Sequence, residues 1–290
     1  MRFFSTSRRA SAVFSLPKEL TAFSLMTTSS DSTGQKYDNQ GQYSRNGILR
    51  YEKIFGEGYV STGGPATTKR LCAILGSALQ PGARVLDVGS GLGGAAFDLA
   101  RDYGVDVTGI DLAPEMVDIT MERVAASGMP NSVRFQIADI LTAEFDQPFD
   151  IIWSRDALMH IPDKERLFTK IHSLLKPGGH LVITDYARGA GQRSPEFESY
   201  ATKTGYHLLD LESYGNVLRQ VGFKTVKVED ATQSFDDIIE DEQTRLNAGK
   251  ADFIKDFPES DWSYLMDRWE MKQGFIKNGD MKWGIFHAVK

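Results

Sequence analysis

From Ala83 onward, short apolar runs rich in β-branched residues alternate with segments whose apolar residues recur at helical spacing. This is the pattern of a parallel sheet flanked by helices. The runs are ARVLDV (83–88), VDVTGI (105–110), SVRFQI (132–137), FDIIWS (149–154) and HLVITD (180–185). Pro65 opens a predicted helix carrying Leu71, Ile74, Leu75, Ala78 and Leu79, and Pro114 opens another. Asp163 caps a third, with Leu167, Phe168, Ile171, Leu174 and Leu175 on its apolar face and a stop at Pro177-Gly178-Gly179. A further helix carrying Leu218 and Val221 ends at Gly222, where a C′ glycine belongs, and the strand KTVKVE (224–229) follows. From Ser234 to Lys277 the helical period returns. Ser234-Phe235-Asp236-Asp237 has the form of a capping box with Asp in place of Glu, and Phe235, Ile238, Ile239 and Leu246 form one apolar stripe. Beyond Pro258, Trp262, Leu265, Met266 and Trp269 form another, while Glu240-Asp241-Glu242 reads as a solvated face.

Composition narrows the function. The 290 residues are 41% hydrophobic and 25% charged, within the globular range, and the net charge of −6 provides no general attraction for nucleic acid or an anionic membrane. Cys72 is the one cysteine, so neither an intramolecular disulfide nor a site built on several thiolates is available. No run approaches the roughly 18 apolar residues that span a bilayer. No metal is expected, and the chain reads as a monomer acting on a small molecule. Residues 1–30 are different material: Arg2, Arg8, Arg9 and Lys18 stand against the single acid Glu19, among many Ser and Thr. That composition fits a mitochondrial or plastid transit peptide, a disordered tail, or an upstream extension with translation starting at Met26. Residues 27–41 read as a linker, and the location is either cytoplasmic or organellar.

The strongest chemical signal is Asp87-Val88-Gly89-Ser90-Gly91-Leu92-Gly93-Gly94, at a predicted strand-to-helix turn. Glycines there let backbone approach a ligand closely and adopt unusual φ values. Gly89, Gly91 and Gly94 also satisfy the GxGxxG dinucleotide pattern, so an NAD-dependent oxidoreductase is the first rival. Asp111, at the end of the second run, suits a ribose-binding acid in either class. An acid two residues before the first glycine, and Ala138-Asp139-Ile140 placed to meet an adenine, shift the balance away from the dinucleotide.

Taken together, DVGSGLGG, GIDLAPEMV, ADI, FDIIWSRDALMHI and LLKPGGHLVITD, in that order, resemble the class I S-adenosylmethionine-dependent methyltransferases. The resemblance implies a seven-stranded, doubly wound, Rossmann-like α/β sheet whose reversed last strand is MKWGIFHAV (281–289). Residues 31–290 would form one domain, with lid segments at about 187–210 and 233–277. Asp87 would face the sulfonium and amino-acid end of S-adenosyl-L-methionine, with Gly89 and Gly91 beneath it. Asp111 would take the ribose with Leu112 beside it, Asp139 and Ile140 the adenine, and Val60, Ser61 and Arg155 would complete the cofactor site.

Tyr43, the run Tyr51-Glu52-Lys53-Ile54-Phe55-Gly56-Glu57-Gly58-Tyr59-Val60-Ser61-Thr62-Gly63-Gly64, SRDALMHI, ITDY and the closing KWGIFHAVK are similar to single-domain phosphoethanolamine N-methyltransferases. In that family a tyrosine and a histidine close the site over the acceptor. The matching residues are Tyr43 and His160, with Gln42 and Asp156 beside them. The resemblance assigns acceptor binding to Tyr51, Tyr186, Tyr200, Tyr206 and Lys272. One position departs from it: Thr204 stands where the family has an arginine, and a hydroxyl cannot supply a charged, bidentate fork. Arg188, Arg193 or Lys203 would then have to compensate. Otherwise the acceptor is a small carboxylate, such as an amino acid methylated on nitrogen or 4-methylthio-2-hydroxybutyrate methylated on sulfur towards the osmolyte dimethylsulfoniopropionate. An amine acceptor must also lose a proton, for which His160, after the fourth run, is the candidate base; a thioether needs none. His172, His180, His207 and His287 read as structural or solvated.

Overall fold

The computed structural model describes residues 41–128 and 132–290. Residues 1–30, which carry the targeting expectation, lie outside the described residues, as does most of the expected linker and the side chain of Gln42. A 3₁₀ turn (Gly41–Tyr43) leads into α1 (Arg45–Phe55) and α2 (Gly64–Leu75). The alternating body follows as β1 (Arg84–Val88), α3 (Gly94–Tyr103), β2 (Asp106–Asp111), α4 (Pro114–Ser127), β3 (Val133–Ile137), β4 (Phe149–Arg155), α5 (Lys164–Leu174) and β5 (Leu175–Arg188). The remainder is α6 (Pro195–Thr204), α7 (Leu211–Gln220), β6 (Thr225–Asp230), α8 (Thr232–Ala248), α9 (Lys250–Asp256), α10 (Glu259–Lys277) and β7 (Met281–Val289).

The strands form one seven-stranded sheet in the order β3-β2-β1-β4-β5-β7-β6. The first five pair in parallel, and β7 inserts antiparallel between β5 and β6. Helices cover both faces, so neighbouring strand residues feed different cores. Val85 packs with Trp153, Val182 and Ile285 beneath α1, α2, α3 and the α8–α10 cap. The adjacent Leu86 packs with Ile152, Leu181 and Phe286 beneath α5 and α7. Each such fully buried aliphatic side chain contributes about 1.5–3 kcal/mol of transfer free energy. No helix among the described residues is long and apolar enough to cross a membrane.

Three expectations are corrected. Pro177-Gly178-Gly179 does not terminate α5, which ends at Leu174. The glycines fall inside β5 because Gly178 N–H donates to Lys290 O at 3.1 Å and Lys290 N–H donates to Gly179 O at 3.0 Å, drawing them into the sheet edge. The box at Ser234 is not the start of α8: Asp230 accepts from Thr232 N–H at 3.0 Å and starts the helix at Thr232, leaving Ser234 to accept from Arg70. Glu242 is not on a solvated face. It is 1% exposed, because α8 packs that side against α10.

Candidate active site

The carboxyl ends of β1, β2 and β4 open onto one cavity of about 220 Å³, at the edge where ligands of open α/β sheets bind. Its floor is the turn after β1. Gly89 and Ser90 N–H groups donate to Ile110 O at 2.8 and 3.0 Å, fastening the turn to β2. Gly89 and Gly91 have φ of 73° and 53°, and a side chain on either would collide: a Cβ would lie 2.3 Å from Ala157 Cβ at Gly89 and 2.7 Å from Val60 Cγ2 at Gly91. Bare backbone is therefore required on both geometric and steric grounds.

Every residue expected to hold the cofactor lines this cavity: Val60 and Ser61 from the segment before α2, Asp87, Gly89 and Gly91 from the β1 turn, Asp111 and Leu112 after β2, Asp139 and Ile140 after β3, and Arg155 at the end of β4. Asp111 is held by Gly91 N–H and Ala113 N–H, each at 2.9 Å, and Asp139 by Leu141 N–H at 2.8 Å. Asp87 accepts no hydrogen bond from any described residue. Burial pushes its carboxyl up to about 7, with Arg155 opposing the shift and Asp111 adding to it. The Ser90 hydroxyl beside it is buried without a partner. An unpaired carboxylate and an unpaired hydroxyl on a glycine turn fit the amino-acid end of S-adenosylmethionine, whose ammonium would relieve the burial of Asp87.

The wall over the turn is pinned by two residues at the end of β4. Arg155 donates to Gly64 O at 2.9 Å, Thr68 Oγ1 at 2.8 Å and Thr62 O at 2.5 Å. Asp156, at φ 48°, accepts from Thr62 N–H (2.9 Å), Thr184 Oγ1 (3.0 Å) and Trp283 Nε1 (2.9 Å). A non-glycine residue in the left-handed region is strained, and these three bonds hold it there. Asp156 lines the cavity as expected, and the same carboxylate holds Thr62 and the end of β4 in place.

His160 ends a 3₁₀ turn (Leu158–His160) that is locked from below by Lys164 Nζ, which donates to Leu158 O and Ile161 O at 2.7 Å each. Its ring meets Tyr206 edge-on, with centroids 5.1 Å apart. Tyr43, from the turn before α1, lines the same cavity. Both residues also face an adjoining outer chamber bounded by α6 and α10. Lys272, on α10, donates to Tyr186 OH at 3.0 Å, and that hydroxyl shares a 3.2 Å hydrogen bond with Thr62 Oγ1. Burial lowers Lys272 to about 8, with the Arg268 cation adding to the shift and Glu242 and Asp156 opposing it. Burial also raises Tyr186 and Tyr206 far above the usual phenol range, so both remain O–H donors. Tyr51 lines the cavity with its ring 6.3 Å from Trp269, and Tyr200 faces the outer chamber.

Thr204 does not face the inner cavity. Its hydroxyl donates to Tyr200 O at 2.8 Å and Ala201 O at 3.2 Å, within its own helix. Of the expected substitutes, Arg193 is committed to Glu198 and Gly191 O, Arg188 lines neither space, and Lys203 reaches only the outer chamber. The sequence reading missed Arg268 and the wall contact of Trp269. Their i, i+4 and i, i+3 spacing to Lys272 was a readable signal.

Residues 66–228 match the family described as Methyltransferase domain. The chain is 37% identical to phosphoethanolamine N-methyltransferase from Plasmodium falciparum over 253 residues, covering 86% of this chain and 93% of that one. The chain belongs to the phosphoethanolamine N-methyltransferase family of S-adenosylmethionine-dependent methyltransferases. It is 42% identical to phosphoethanolamine N-methyltransferase 3 from Arabidopsis thaliana over 91% of its own length, and spans about half the length of that relative, 54%. Among solved structures it resembles Haemonchus contortus phosphoethanolamine N-methyltransferase 2, in complex with phosphomonomethylethanolamine and S-adenosylhomocysteine. The TM-score is 0.85 and the identity 33%, covering 89% of this chain and 60% of that one.

Proposed function

We propose that this chain methylates the nitrogen of phosphoethanolamine-type phosphobases, with S-adenosylmethionine as donor. The observation that carries the reading is a single cavity with two chemically opposite walls. One presents Asp87 and Asp111, at the ends of β1 and β2, beside a glycine turn; the other presents Lys272 with the neutral phenols of Tyr186 and Tyr206. The first suits a cationic amino acid and a ribose, the second an anionic head group.

When bound, S-adenosylmethionine supplies an electrophilic methyl group on a sulfonium. The chain's own part is alignment and removal of one proton. Lys272 and the tyrosines hold the anionic end of the acceptor, Tyr43 and His160 close over it, and His160 accepts the proton that an ammonium must lose before its lone pair can attack. Asp87, Asp111 and the turn at Gly89 and Gly91 would hold the donor as its methyl group passes to the acceptor nitrogen, leaving a neutral thioether. The spent hydroxyl of Thr204 favours a second reading, in which the acceptor is a small carboxylate.

Transfer of labelled methyl from S-adenosylmethionine to phosphoethanolamine, with the N-methylated product identified by NMR, tests the assignment. Absence of that product while S-adenosylhomocysteine still binds would exclude it.

A further inference from the structure

The wall that carries Lys272 holds more positive charge than the protein itself neutralises. Arg268 precedes Lys272 by one helical turn on α10, and both line the inner cavity. Like charges at i, i+4 repel, and burial strengthens that repulsion. No described carboxylate forms an ion pair with either cation. Glu242, which with Asp156 opposes the lowering of Lys272, already accepts from Gly63 N–H at 3.0 Å and Trp269 Nε1 at 2.7 Å. Asp156 is committed to its three donors.

Arg268 uses little of its own donor capacity. Nη1 donates to Tyr264 OH at 3.1 Å, and the guanidinium lies against the rings of Tyr264 and Tyr200, 5.4 and 5.8 Å from their centroids. Tyr264 and Tyr200 together occupy a minority of the five N–H donors of an arginine. The Tyr200 hydroxyl, on a side chain 8% exposed, makes no hydrogen bond of normal geometry. Arg268 also lines the outer chamber together with Tyr200, Tyr206, Tyr43 and His160, so it stands where the two spaces meet.

We propose that Arg268 is the residue that selects a phosphomonoester over a carboxylate: its guanidinium and the Lys272 ammonium together bind the phosphate dianion of the acceptor, with Tyr200 as a further donor. This rests on the phosphobase reading of the site. A buried and a half-buried cation are matched by a dianion, whereas a carboxylate leaves one of them unpaired. The planar fork can engage two phosphate oxygens at once, the contact that Thr204 cannot make. The charge missing from α6 is thereby supplied from α10, across the same pocket.

Steady-state kinetics with phosphoethanolamine and with glycine, on wild type, Arg268→Gln and Arg268→Lys, test the proposal. Calorimetric titration of inorganic phosphate into the S-adenosylhomocysteine complex gives an independent readout. Arg268→Gln should raise KM for phosphoethanolamine about 30-fold, leave kcat within about threefold and abolish phosphate binding, the loss expected for a charge-assisted contact. Arg268→Lys should recover part of the affinity, and S-adenosylhomocysteine should bind all three proteins equally, which reports an intact fold. Unchanged KM and phosphate affinity in Arg268→Gln would overturn the assignment to Arg268 while leaving the phosphobase reading in place. Wild-type turnover of glycine alone, with no phosphate binding, would overturn both.

Discussion

Glu242 on α8 accepts a 2.7 Å hydrogen bond from the indole Nε1 of Trp269 on α10. Its other oxygen accepts from Gly63 N–H at 3.0 Å, next to the Val60–Thr62 wall of the cofactor site. One buried carboxylate thus joins the segment over the glycine turn to the helix that carries Arg268 and Lys272.

Removing that link should loosen both ends. Glu242→Ala leaves two buried donors unpaired and should cost about 2–4 kcal/mol of stability, measured by urea denaturation. Burial raises the Glu242 carboxyl to about 7, opposed mainly by its hydrogen bond from Trp269. A carboxyl raised in the folded state contributes stability that is fully present below its unfolded value of about 4.5 and is lost as pH rises towards 7. The stability of wild type relative to Glu242→Gln should therefore fall between pH 5 and 7. A difference that rises or stays flat across that range would contradict the assignment.

Cofactor affinity should carry the signature of Asp87. With its carboxyl held near 7, the protein must release a proton before it can pair with a ligand ammonium at lower pH. Affinity for S-adenosylhomocysteine, followed by calorimetry, should weaken by up to about tenfold per pH unit below 7. Asp87→Asn should bind weakly at every pH and lose that slope. A wild-type affinity independent of pH between 5.5 and 7.5 would remove Asp87 from the ammonium contact.

His160 should separate chemistry from binding. His160→Ala should lower kcat by about a hundredfold or more on an amine acceptor and leave the affinity for S-adenosylhomocysteine within about threefold. A variant that kept its full rate would leave the proton to water alone.

The sheet was readable because its signals are local. Alternating runs, Pro65, Pro114 and the Asp163 cap each act within a few residues, and the structure places them as expected. The glycine turn was readable because its geometry restricts residue identity. Pro177-Gly178-Gly179 misled because its partner, Lys290, is more than a hundred residues away. Glu242 looked solvated because its sequence neighbours are acidic, yet its surroundings are set by α10 and Gly63 rather than by α8. Arg268 was passed over for the same reason. The cations close to Thr204 in sequence do not line the inner cavity, whereas α10, distant in sequence, shares the outer chamber with α6.

We propose an acceptor that carries a phosphate. Its most direct test is a side-by-side comparison of kcat/KM for methyl transfer to phosphoethanolamine, its mono- and dimethyl forms, glycine, sarcosine and 4-methylthio-2-hydroxybutyrate. The site described above predicts that at least one phosphobase exceeds every carboxylate by about a hundredfold. A carboxylate acceptor turned over faster than all three phosphobases would contradict it.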